Sequence, residues 1–221
     1  IVLGDGVEGF SVSSTEMVGV YDGVVSEPTT GEPGGFLGPG LHINCNNRGL
    51  RLRNRPSIQI NGVQIYRSDG FFSKPGWTGI SLQASTVVAC NIELVHGSVI
   101  DRTQSVGFDG DTTSLQATNI RAEFLNTLFR ATACSDWEVT SYSVNNMVTV
   151  FDLRSGSTDI AERGFAIRGS HANVTTFLAT DGSITKDRLY FSRESPKPLV
   201  RYVANVASAA TTLTLIPRLS A

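Results

Sequence analysis

Two acids on one face of a repeating chain would be the starting point for hydrolytic chemistry. Glu93 and Glu138 each stand two residues after an Asn or Asp in similar tetrapeptides, Asn91-Ile92-Glu93-Leu94 and Asp136-Trp137-Glu138-Val139. Asn119-Ile120-Arg121-Ala122 lies between them. Glycosidic cleavage needs two carboxyl groups roughly 5 to 9.5 Å apart, and neighbouring strands of a sheet lie about 4.8 Å apart. If the three tetrapeptides stack, the order Glu93, Arg121, Glu138 gives either a catalytic pair or a salt-bridge ladder on a solvated face. The ladder is the expectation, with Glu93 and Glu138 kept as the candidate catalytic acids. Asp109 and Asp111, in Phe-Asp-Gly-Asp-Thr-Thr, are expected on a turn between repeats. Such a turn could bind calcium, but the remaining oxygen ligands are not evident.

Other chemistries lack their parts. His42, His96 and His171 are far apart, and no cysteine or carboxylate spacing converges on any of them, so no metal site is expected. No Gly-x-Ser-x-Gly elbow exists to seat a nucleophilic serine. The Gly-rich stretch 31–40 is not followed by Lys-Ser or Lys-Thr, which excludes a phosphate-binding P-loop. Cys45, Cys90 and Cys134 are too few and too dispersed for a disulfide framework or a zinc site; Cys90 and Cys134 read as small core residues. No cofactor is implied.

Binding residues are easier to nominate. Arg51, Arg53 and Arg55 are expected to share one strand face, with Arg48 nearby. Their guanidinium groups could fork onto the carboxylates of acidic sugars or of a neighbouring subunit, or could guard a sheet edge against aggregation. Tyr66, Phe71, Phe72 and Trp77 are candidate sugar platforms, three of them in an insertion over 68–78 rich in turn residues. The sequon Asn173-Val174-Thr175 matters only in a eukaryotic secreted protein.

The elements that must position these residues are strands. Leu50 and Leu52 alternate with Arg51 and Arg53, Ile58 and Ile60 with Gln59, and Val148 and Val150 with Thr149. Asn61-Gly62 is a turn signal. The best helical stretch, 119–132, reads instead as two strands around a turn at Asn126-Thr127. Strands of four to six residues separated by short polar turns fit a sandwich, a propeller or a solenoid. A loose repeat favours the solenoid: Gly62-Val63-Gln64-Ile65, the three tetrapeptides above, and Asp159-Ile160-Ala161. Asn119 to Asp136 is its one short step. Asn61, Asn91, Asn119 and Asn145 could form an amide ladder at a turn, since Asn tolerates the left-handed conformation.

Composition limits the partners. Eighteen Lys and Arg against twenty Asp and Glu leave a net charge of −2, so no nucleic-acid partner held by a basic field is expected. No apolar run reaches the roughly 18 residues of a spanning helix, so no membrane insertion is expected. Hydrophobic residues at 40% suffice for a packed core in 221 residues and exclude wholesale disorder. The chain opens at Ile1 with no leader pattern, and a processed product or a fragment is expected.

From about Leu41 to Glu194 the chain resembles the right-handed parallel β-helix of phage tailspikes and pectate-lyase-like proteins. The residues that carry the resemblance are Asn61-Gly-Val-Gln-Ile, Asn91-Ile-Glu-Leu-Val, Asn119-Ile-Arg-Ala-Glu-Phe and Asp136-Trp-Glu-Val-Thr. The expected fold is therefore all-β, with an N-terminal arm or cap over 1–40, a β-helix over 41–196 and a short β tail over 197–221 for oligomerisation. The resemblance implies a homotrimer at the virion surface or outside the cell, contact with other virion proteins, and adhesion to host surface polysaccharide. The alternatives are a polysaccharide depolymerase of the same fold and a capsid decoration protein.

Overall fold

The computed structural model describes residues 1–67, 76–97, 102–134, 137–154, 165–180, 189–193 and 200–202. The chain is all-β: β1 (Val2–Leu3), β2 (Phe10–Val12), β3 (Glu16–Ser26), β4 (Gly35–Leu37), β5 (Leu41–Arg53), β6 (Ile58–Arg67), β7 (Thr78–Gln83), β8 (Thr86–Val95), β9 (Val106–Asp111), β10 (Ser114–Glu123), β11 (Thr127–Thr132), β12 (Trp137–Arg154), β13 (Phe165–Thr180), β14 (Leu189–Arg193) and β15 (Val200–Tyr202). They stack as a parallel β-solenoid of about six turns. The stretch 119–132 is two strands, β10 and β11, around 124–126.

Each coil has three faces. The first is built by β2, β4 and the opening residues of β6, β8, β10 and β12. The second holds the start of β5 and the ends of β6, β8 and β10. The third holds the end of β5, then β7, β9, β11 and the last part of β12.

Three columns of left-handed residues turn the described chain, the one between the second and third faces holding Phe124, Asn146 and Asn173 with φ of 60°, 55° and 53°. Gly40, Gly62, Asn91, Asn119 and Ser141 have φ of 71°, 69°, 54°, 53° and 55°, and separate the first face from the second. Asn54, Ala84, Thr112 and Ala133, with φ of 53°, 46°, 54° and 50°, separate the third face from the next coil. At the first corner Asn91 Nδ2 donates to Asn61 Oδ1 at 2.9 Å, and Asn119 Nδ2 donates to Asn91 Oδ1 at 2.6 Å. Asn145 joins a different step, accepting from Asn173 Nδ2 at 3.0 Å.

Inside, like stacks on like. Leu41, Val63, Ile92, Ile120 and Tyr142 share one register column. Leu50, Ile80, Phe108, Phe129 and Phe151 share another. The three phenylalanine rings lie face to face, with centroids 5.0 and 5.2 Å apart. Beside them runs a glycine column: Gly23, Gly49, Gly79 and Gly107 take equivalent places in successive coils. A Cβ on Gly49 would lie 2.7 Å from the carbonyl oxygen of Gly79 and against the Ile65 side chain. Leu128 and Val150 continue the column where the coil has room for them.

The Gly-rich N-terminus closes the solenoid by joining it. β2 pairs with β4, β4 with β6, and β3 with β5, so no break in the sheet falls at residue 40. Of the tail 197–221, β15 lies antiparallel on β14; the apolar run 212–216 lies outside the described residues, as does the Asp159-Ile160-Ala161 repeat.

Candidate functional site

Outward residues of the second face sit two positions after the first corner. They form the column His42, Gln64, Glu93, Arg121, Ser143, each the in-register partner of the next. Alongside runs Asn44, Tyr66, Val95, Glu123, Asn145. Glu93 is the hub. Its Oε2 accepts from Tyr66 Oη at 2.8 Å and from Gln64 Nε2 at 3.2 Å, while Oε1 lies 3.1 Å from an Arg121 nitrogen. Arg121 is itself forked, its other nitrogen 2.9 Å from Glu123 Oε1. His42 packs edge-on against Tyr66 with ring centroids 5.1 Å apart, and its Nδ1 is 3.7 Å from Glu16. Burial, then the hydrogen bond to Glu93, pushes the Tyr66 phenol up to about 12.

These side chains and the asparagine corner enclose an open groove of about 500 Å³ whose lining runs from Gly40 and His42 through Gln64 and Glu93 to Asn119 and Arg121. It crosses four coils and offers amide, imidazole and guanidinium groups, while the side chains of Leu41 and Ile92 beneath it are buried in the core. Such a surface can bind an extended, hydroxyl-rich chain. Hydrolysis needs a second acid, and among the described residues Glu93 is the one carboxylate in the lining; Glu123 lies beside it on the other arm of Arg121.

The expected site residues disperse. Glu93 lines the groove, Tyr66 hydrogen-bonds to it from beside the lining, and Arg121 stacks on Glu93 as the ladder required. Glu138 does not complete it: its partner in the coil below is Gln116, and Gln116 pairs with Val88, five residues before Glu93. The short Asn119-to-Asp136 step is the cause, because the corner equivalent to Asn119 is Ser141 and the residue facing Arg121 is Ser143. Asp109 and Asp111 belong to β9 rather than to a turn. Burial raises the Asp109 carboxyl, against the pull of Arg130 at 3.9 Å.

The arginine stripe is also broken. Arg51 points outward and pairs with Glu27 at 2.7 Å, and Arg53 is exposed. Arg55 is fully buried. The left-handed Asn54 between them turns the chain, so alternation restarts and Arg55 points inward. There its Nε donates to Ser26 Oγ at 2.9 Å and one terminal nitrogen to the Val7 carbonyl at 2.8 Å, with Glu32 at 3.6 Å and the Phe10 ring 5.2 Å from the guanidinium carbon. It locks the N-terminal coil instead of offering charge to a ligand. Trp77 is no surface platform either: it is wholly buried and meets His96 edge-on at 5.9 Å. Phe71 and Phe72 lie outside the described residues. Cys45 and Cys134 are buried free thiols, and Cys90 is half-buried.

Sequence reasoning missed His42 and Gln64 as groove residues, and Glu123 as the second partner of Arg121. The signal was present, since His42 and Gln64 each follow a corner glycine, Gly40 and Gly62, by two positions just as Glu93 follows Asn91. No protein-family model matches the chain, and no curated protein or solved structure gives a significant match to it.

Proposed function

We propose that the protein is a virion adhesion component of the tailspike or tail-fibre kind, in which a rigid solenoid shaft presents its second face to host surface polysaccharide. The observation that supports this reading is the groove along four successive coils, lined by hydrogen-bonding side chains that their neighbours already hold in place. Pre-fixed side chains lose little rotamer entropy on binding, which suits an adhesive surface. The adhesin acts as a homotrimer alongside other virion proteins, outside the cell. Intertwining three C-terminal tails around a threefold axis would bury their apolar, alternating residues between Leu199 and Ile216. A depolymerase is the weaker reading, because Glu93 and Glu138 do not form a pair.

Two measurements test the proposal. Light scattering should return three times the 23.7 kDa chain mass, and deletion of 197–221 should abolish the trimer. Fluorescently labelled protein should coat encapsulated bacteria and be displaced by their purified polysaccharide. A stable monomer that coats no cell surface would overturn the reading, and release of oligosaccharides on incubation would replace it with the depolymerase.

A further inference from the structure

The charge arrangement of the groove narrows the ligand class. Among the described residues Arg121 is the one guanidinium in its lining, and both of its carboxylate-facing nitrogens are already engaged, by Glu93 at 3.1 Å and by Glu123 at 2.9 Å. The imidazole of His42 faces Glu16 at 3.7 Å. Glu93 and Arg121 balance within the lining, while Glu123 and Glu16, which pair with Arg121 and His42 from beside it, add negative charge at the rim of the opening. An anionic sugar would have to displace two carboxylates from Arg121 and would then face both of them at short range. Uncharged hydroxyls meet no such penalty. The asparagine ladder ends at Asn119, whose Oδ1 is left to accept because the next corner is Ser141. Gln64 in the outward column and Asn91 and Asn119 at the corner place side-chain amides on three successive coils, about 4.8 Å apart from one coil to the next.

We infer that the groove over His42, Gln64, Glu93, Asn91 and Asn119 binds an uncharged polysaccharide, one sugar unit per coil, and discriminates against uronic acid- or sialic acid-bearing chains. This inference rests on the adhesion reading and names its ligand. Binding held by neutral hydrogen bonds should also be insensitive to salt, whereas an anionic ligand on Arg121 would be screened.

The test uses the full chain on a surface printed with neutral and with anionic bacterial polysaccharides, followed by titration of the best binder at low and at high sodium chloride. Neutral polymers should bind, with less than a twofold change in Kd across the salt range. Asn119→Gly keeps the left-handed corner while removing the amide, and Gln64→Ala removes the adjacent one; each should weaken binding about three- to tenfold with the circular dichroism spectrum unchanged. Preferential, salt-sensitive binding of anionic polymers that Arg121→Gln abolishes would overturn the inference and leave the adhesion reading standing. Neutral binding that neither Asn119→Gly nor Gln64→Ala affects would move the site elsewhere and so overturn it as well. Retention of no polymer of either class would overturn the adhesion reading itself.

Discussion

Replacing Phe129 with Ala removes the middle rung of the aromatic column. The ring is fully buried, lies 5.0 Å from Phe108 and 5.2 Å from Phe151, and meets Trp137 edge-on at 6.3 Å. A buried Phe→Ala change costs about 3 to 5 kcal/mol through lost transfer energy and the cavity left behind. Each well-placed ring pair contributes about 0.5 to 1.5 kcal/mol beyond burial. Phe129 makes two stacked pairs, and Phe108 makes one, because the rung below Phe108 is Ile80. With its edge-on contact to Trp137, Phe129 has two more ring pairs than Phe108, so Phe129→Ala should exceed Phe108→Ala by about 1 to 3 kcal/mol, although both leave similar cavities. Guanidinium unfolding followed by tryptophan fluorescence measures the difference, since Trp77 and Trp137 are both buried. Equal losses for the two variants would refute the idea that ring stacking, rather than burial alone, stabilises this column. A loss below about 1.5 kcal/mol for either would refute the cavity argument too.

Arg55→Met leaves Glu32 buried without its cation and should cost about 3 to 5 kcal/mol, whereas Arg55→Met combined with Glu32→Gln should recover much of the loss in melting temperature; a single variant as stable as the double would show that the pair is not a lock. Gly49→Ala drives a methyl group against Ile65 and the Gly79 carbonyl, and should destabilise by about 1 to 3 kcal/mol in chemical denaturation, while Gly31→Ala, with nothing near its added carbon, should not. Cys45 and Tyr66 are both raised to about 12, by burial first in each case. The fold therefore favours their neutral forms, and that stabilisation is complete below their ordinary values of 9.0 and 10.0 and is lost as pH climbs towards 12. Calorimetry from pH 8 to 12 should show a falling melting temperature, with a shallower fall for Cys45→Ala.

Much of the architecture was legible because solenoid physics writes itself into local patterns. Alternation marked the strands, and Asn91 and Asn119 marked a corner because a left-handed turn with an amide ladder favours Asn. The glycine column was equally readable and carried a better register. Gly23-Val24, Gly49-Leu50, Gly79-Ile80 and Gly107-Phe108 each open the third face with a glycine that packing demands, followed by an inward apolar residue. Anchoring the repeat on these pairs would also have drawn the Gly-rich N-terminus into the solenoid, since Gly23 precedes residue 40. Composition drew attention elsewhere: the glycine- and proline-rich stretches of 1–40 suggested an extended arm or a cap, and within that stretch β4 pairs with β6.

The site was only half legible, and the reason lies in the corners. A strand's inside–outside alternation holds only until a left-handed residue intervenes, after which it restarts. Arg51 and Arg53 precede such a residue and Arg55 follows it, so one arginine goes into the core while two stay out. The rule that places the groove counts forward from the corner, not from any particular residue type. Two positions after Gly40, Gly62, Asn91, Asn119 and Ser141 come His42, Gln64, Glu93, Arg121 and Ser143, an unbroken outward column. Counting from Asp136 instead gave Glu138, because Asp and Asn look alike in sequence although the corner there is a serine. A left-handed serine is costly and has no composition signal of its own. It is identifiable only through the register of the coil beneath it, which ties Thr118 to Thr140 and Ile120 to Tyr142 and leaves Asn119 facing Ser141.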